Sequence, residues 1–238
     1  MQPSSPYRLG ILGGLGAVAS AEFHRRFLLQ WARSKAIADD KDYPDILHIS
    51  TSLAGITPRG LEDELAARTA LQDKLETFRS WGAQLVAVPC NSLQPVLASL
   101  ADCSLRKVNP WDSAQPLLRS LQKQFIVLGS KSLRASLPTN SSTGFAALQQ
   151  LGEPRERLVD AIIEKVLRGE LSRAKLLWEH LLDELQWLFP PLDGLVIACS
   201  ELSVVHHYSN TSPSFAVLDT LDCLVQETVA HLLSLELP

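Results

Sequence analysis

Two of the four cysteines sit in matching settings. Leu85-Val-Ala-Val-Pro-Cys90-Asn-Ser-Leu and Leu195-Val-Ile-Ala-Cys199-Ser-Glu-Leu each run from a β-rich apolar stretch to a cysteine, a polar pair and then a helical pattern. The two copies lie 109 residues apart in a chain of 238, which predicts two similar lobes, each presenting a cysteine from the same place. One cysteine alone reads either as a small buried hydrophobe or as a reactive group. A pair facing one small molecule from opposite sides suits one chemistry: one sulfur removes a proton from a carbon while the other returns a proton to the opposite face. That reaction also needs donors to hold the adjoining carboxylate as charge develops on it. Asn91, Ser92 and Ser200, together with backbone N–H groups at the helix starts, are the candidates.

The elements that must position these residues alternate from end to end. Strands are expected at Arg8–Gly13, Asp45–Ser50 and Gln84–Pro89, with helices over 17–36, 60–81 and 92–100. The second half repeats the scheme. A helix over 112–122 and a strand at Phe125–Gly129 lead into a loose stretch over 134–144, then helices over 155–168 and 171–189. Strands at Gly194–Ala198 and Phe215–Leu218 and a helix over 220–235 close it. Such alternation predicts an α/β protein with parallel sheets flanked by helices. Ligands in such folds bind beyond the carboxyl ends of strands, where both cysteines fall. Ser92 and Ser200 are expected as N-caps, and the helix N-termini behind them are expected to favour thiolate. Glu201 reads as a first-turn acid favoured by the helix dipole.

Gly10-Ile-Leu-Gly-Gly-Leu-Gly16 misses the dinucleotide fingerprint and lacks the lysine of a P-loop. Its better use is to bring backbone N–H groups, such as those around Gly14, close to a carboxylate. No pair of cysteines has CxxC spacing, so no metal site is expected, and Cys103 and Cys223 read as core residues. The adjacent His206 and His207 point apart on a helix and read as structural, and the tryptophans read mostly as core, with Trp111 set apart as a residue near the cleft. The net charge of −4 argues against nucleic acid or an anionic membrane as partner. No apolar run nears the roughly 20 residues of a membrane span. The first residues lack the pattern of a signal peptide, so a cytoplasmic location with reduced thiols is expected.

At Leu9–Gly16, Pro89-Cys90-Asn91-Ser92 and Ala198-Cys199-Ser200-Glu201-Leu202 the sequence resembles the aspartate/glutamate racemase family, with serine where relatives usually carry threonine. Val217-Leu-Asp-Thr220 is similar to the family's final strand and helix start. The resemblance implies two pseudo-twofold-related lobes with the active site between them, 8–104 plus 216–236 forming one and 105–215 the other. It implies an amino-acid racemase using Cys90 and Cys199, with no pyridoxal phosphate or other cofactor, assembled as a homodimer. It places Gly14, Asn91, Ser92, Ser130, Ser200 and Glu201 around the substrate. For an acidic substrate it offers Arg59, in Ile56-Thr-Pro-Arg59, for the distal carboxylate, and it sets Lys165 where some relatives have a substrate-facing lysine, a residue also readable as a surface lysine. Hydantoin racemisation, maleate-type isomerisation, or a binding protein that kept the cleft are the alternatives.

Overall fold

The computed structural model describes residues 5–57, 60–100, 105–120, 125–136, 151–188 and 193–235. Strand β1 (Arg8–Gly13) is an apolar run stopped by glycines, and helix α1 (Ala17–Ser34) follows it. Strand β2 (Asp45–Ser50) lies parallel to β1 in register from Arg8 opposite Asp45 to Gly13 opposite Ser50. A small antiparallel hairpin, β3 (Ile56–Thr57) with β4 (Gly60–Leu61), precedes helix α2 (Glu64–Trp81). The helix expected from residue 60 therefore begins later. Asp63, whose side chain accepts the Ala66 N–H, is its cap.

Strand β5 (Leu85–Ala87) pairs with β1, and β6 (Arg106–Val108), which the sequence pattern did not reveal, pairs with β5. The resulting parallel sheet has the order β2-β1-β5-β6. Between β5 and β6 the single helix expected over 92–100 is a 3-10 turn at Asn91–Leu93 followed by α3 (Gln94–Ala98). Helix α4 (Pro110–Ser120) then leads to the second sheet.

That sheet contains β7 (Phe125–Gly129), β8 (Gly194–Ala198) and β9 (Ala216–Asp219), all parallel and in that order. Its connections are α5 (Lys131–Ser136), α6 (Glu153–Leu167), α7 (Leu171–Leu188) and α8 (Ser200–Ser209), and α9 (Thr220–Ser234) ends the fold. Residues 134–136 are helical where a loose segment was expected; 137–144 of that segment, and Cys103, lie outside the described residues. β6 belongs to the first sheet and β9 to the second, while α9 crosses back to pack on α1, α4 and β5.

Strand alternation explains the layering, because successive side chains point to opposite faces. In the first sheet Leu9, Ile11, Leu85 and Ala87 pack with Phe23, Phe27 and Trp31 of α1 and Leu221 and Leu224 of α9. Leu12, Val86 and Val88 face the other way, onto Leu71, Leu75 and Phe78 of α2. In the second sheet Ile126, Leu128, Leu195 and Ile197 pack on α6, α7 and α8, while Phe125, Val127, Val196 and Ala198 face α4 and Cys223. Of the tryptophans read as core, Trp31 and Trp178 are fully buried, but Trp187 is 86% exposed near the end of α7. Trp111 packs beside the cluster around α4 and is not part of the cavity wall described below. Among the described residues no helix is long and apolar enough to cross a membrane.

Candidate active site

The carboxyl ends of β1, β2, β5, β7 and β8 converge on a cavity of about 350 Å³. Both sheets thus point their ligand-binding edges at one space. Cys90 and Cys199 both line it, one from each sheet, and each is nearly buried, at 9% and 6% exposed. Gly14, Asn91, Ser92, Ser130, Ser200 and Glu201 line the same cavity.

The two sulfurs have equivalent backbone settings. Cys90 receives the N–H groups of Ser92 and Leu93, and Cys199 those of Glu201 and Leu202. These donors favour thiolate, as expected of a helix start, but burial outweighs them. Desolvation, with the nearby Glu201 charge second, pushes the Cys90 thiol up to about 12 and raises Cys199 well above its ordinary value. The helix starts thus act in the expected direction, and burial sets the net shift of both thiols upward. The capping expectation changes. Cys199 itself occupies the N-cap position of α8 with extended backbone and no side-chain cap bond, so Ser200 is the first helical residue; Ser92 is the middle residue of the 3-10 turn.

Glu201 is the centre of this polar group. Its Oε2 accepts from the Cys199 Sγ at 3.0 Å and from the Ser200 hydroxyl at 3.4 Å. Burial raises its carboxyl above the ordinary range. Its other oxygen lies over Gly16, where an added Cβ would come within 2.0 Å of it, and Gly16 has φ +94°. Glycine is required there both by conformation and by the carboxylate's approach. Gly14, with φ +90°, is equally confined: a Cβ would stand 2.2 Å from the Thr51 carbonyl oxygen.

Asn91, Ser92 and Ser130 line the cavity with the sulfurs. The Asn91 Nδ2 donates to Thr220 Oγ1 at 3.3 Å, leaving its buried Oδ1 without a hydrogen-bond partner. The hydroxyls of Ser92 and Ser130 are 3.1 Å apart and join the first lobe's loop to the second's. Lys165 is not among the residues lining the cavity. It lies on α6, which contributes Ile163 and Leu167 to the wall, and its ammonium pairs with Glu170 at 3.1 Å. Arg59 lies outside the described residues.

An ion cluster centred on the buried Arg26 and Asp219 lies behind the site and was not among the sequence expectations. Arg26 of α1 contacts Glu22 at 2.7 Å, Asp219 at 3.1 Å and Asp222 at 2.9 Å, and donates to the Ser203 hydroxyl and carbonyl of α8. His207 stands 3.4 Å from Asp219 and 3.3 Å from Asp222, and their carboxylates push it up to about 9. Burial would raise Asp219, but His207 and Arg26 hold it below the ordinary range. His207, Asp219 and Asp222 are close enough to hold a metal ion, yet Arg26 and protonated His207 already supply the positive charge there. The chain signal that could have suggested this is Arg26 itself, a cation set between Phe23 and Phe27 on the buried face of α1.

The fold is two-lobed, α/β, with a cleft between parallel sheets. No protein-family model and no curated protein matches the sequence. Solved structures do match. The aspartate racemase of Picrophilus torridus aligns with a TM-score of 0.70 and 17% identity over 94% of each chain. An aspartate racemase homologue from Pyrococcus horikoshii OT3 aligns with a TM-score of 0.68 and 17% identity over 95% of this chain and 99% of its own. Glutamate racemase from Thermus thermophilus, in complex with β-chloro-D-alanine, gives 0.66 and 16% over 98% and 82%. The chain therefore has the fold of the aspartate and glutamate racemases.

Proposed function

We propose that this protein is an amino-acid racemase that works with two thiols and calls on no cofactor. The observation that carries the reading is that the sulfurs of Cys90 and Cys199 open onto one cavity from equivalent positions on the two sheets. One sulfur, as thiolate, takes the α-proton. The electron pair left on carbon delocalises into the carboxylate, and the opposite thiol delivers its proton to the other face. The sulfurs end with exchanged protonation, ready for the reverse direction.

The remaining groups fit this chemistry. Backbone N–H groups around Gly14, the Asn91 amide and the hydroxyls of Ser92, Ser130 and Ser200 hold the substrate carboxylate as it gains charge. Glu201 receives the ammonium. That ammonium is also a positive charge that no described residue of the wall brings to the sulfurs. Its arrival lowers the cost of forming a thiolate beside Glu201. We divide the lobes by their sheets: β1, β2, β5 and β6 in one, β7, β8 and β9 in the other, with α9 returning to the first. The acidic substrate implied by the sequence resemblance needs a cation that no described residue of the cavity wall provides.

Incubation of the purified protein with single enantiomers, followed by chiral chromatography, tests the activity; unchanged enantiomers throughout would contradict it. The pH profile tests the site. With Cys90 held at about 12, the thiolate fraction of the free enzyme grows about tenfold per pH unit below that value. We expect kcat/KM to climb from pH 7 to 10 in the direction where Cys90 is the base. Glu201→Gln removes the charge that raises both sulfurs, so the rising limb should move to lower pH even as KM increases. A limb unmoved or moved to higher pH would contradict this role for Glu201.

A further inference from the structure

Every ionisable group among the described residues of the cavity wall is an acid: Cys90, Cys199 and Glu201. The rest of the wall is mostly aliphatic, made by Leu15, Leu53, Ile56, Ile163 and Leu167, with the neutral hydroxyls of Ser52 and Thr57 beside them. Leu53 and Ile163 are buried, and Leu15, Ile56 and Leu167 partly so. Resting on the two-thiol reading, the bound amino acid already satisfies its ammonium with Glu201 and its α-carboxylate with the N–H groups, the Asn91 amide and the serine hydroxyls. A second carboxylate would enter this largely apolar space as another negative charge beside Glu201, losing part of its water and meeting no cation among the described residues of the wall. Such a charge is unfavourable unless paired. A neighbouring hollow sharing Ser130, Ile163 and Leu167 does carry Lys131 and Arg168. It also carries Asp160 and Glu164, and Arg168 is paired with Glu164 at 2.5 Å.

We infer that the cavity selects an α-amino acid with an uncharged, apolar side chain, aliphatic or aromatic, laid against the Leu15, Leu53, Ile56, Ile163 and Leu167 wall. At about 350 Å³ the space is near the lower end of small-molecule sites, which suits a free amino acid of this kind. The apolar wall then contributes binding by burial of hydrocarbon, and it rejects a charged side chain by leaving it desolvated.

The experiment measures α-proton exchange and inversion by the full-length protein with L-leucine, L-methionine, L-phenylalanine, L-aspartate and L-glutamate, in deuterated water, by NMR and chiral chromatography. The best apolar substrate is expected to exceed both acidic ones in kcat/KM by at least about tenfold. Leu167→Lys, which adds a cation to the wall, is expected to shift that ratio toward the acidic substrates. A wild-type preference for aspartate or glutamate, lost in Arg59→Ala, would place the distal cation at Arg59. It would overturn this inference while leaving the two-thiol reading standing. An unchanged ratio in Leu167→Lys would also overturn it. No exchange with any of the five would overturn both.

Discussion

Replacing Cys90 or Cys199 with alanine is expected to lower enantiomer interconversion by about 10²- to 10⁴-fold for either change, the usual contribution of one positioned acid–base group. Interconversion needs both faces, so neither sulfur can substitute for the other. The fold should survive. Cys90 touches the cluster around α2 and α3, and Cys199 the one around α6 to α8, but each also borders the cavity. Losing one sulfur from such a place costs about 1 kcal/mol of packing. Thermal melts followed by circular dichroism would separate this small loss from unfolding. Chiral chromatography reads the activity, and a variant keeping more than about a tenth of the wild-type rate would remove that cysteine from the mechanism.

Arg26→Leu is expected to have the largest effect on stability. Its guanidinium is 7% exposed and stands among Glu22, Asp219 and Asp222 while also donating to Ser203. Removing the cation leaves the buried Asp219 carboxylate without its guanidinium partner, a change that typically costs about 3–5 kcal/mol. At this chain length each kcal/mol shifts the melting temperature by roughly 2–4 °C, so a fall of about 10 °C is expected by calorimetry. A fall of less than about 1 kcal/mol would contradict it. Arg26→Lys keeps the charge but loses the fork that reaches several partners, and should lie between. The cluster also reaches the site. Asp219 caps α9 through the Leu221 N–H, Thr220 beside it accepts from Asn91, and Ser203 lies on α8, whose N-cap is Cys199. Arg26→Leu should therefore lower activity in the protein that remains folded.

Much of this arrangement was legible because it depends on local chemistry. The run Arg8–Gly13 stopped by glycines, the helical spacing of Phe23, Phe27 and Trp31, and the repeated cysteine settings all depend on neighbours in sequence. The strand Arg106–Val108 was not legible, because its two cations sit on a three-residue edge, where strands are short and charged. The delayed start of α2 follows from the Ile56–Leu61 hairpin, a pairing too short to leave a pattern. The net rise of the thiols was not legible for a different reason. A helix start is visible in sequence, whereas the burial that overrides it arises from both lobes closing on the sulfurs. The Arg26 cluster joins residues as many as 196 positions apart, and no local rule connects them.

The most direct measurement follows single turnovers of a pure enantiomer in deuterated water. If separate sulfurs serve the two faces, the first inverted molecules carry deuterium at the α-carbon while unreacted starting material remains protiated. Early, rapid appearance of label in the recovered starting enantiomer would mean that one group serves both faces, and the two-thiol account would fail.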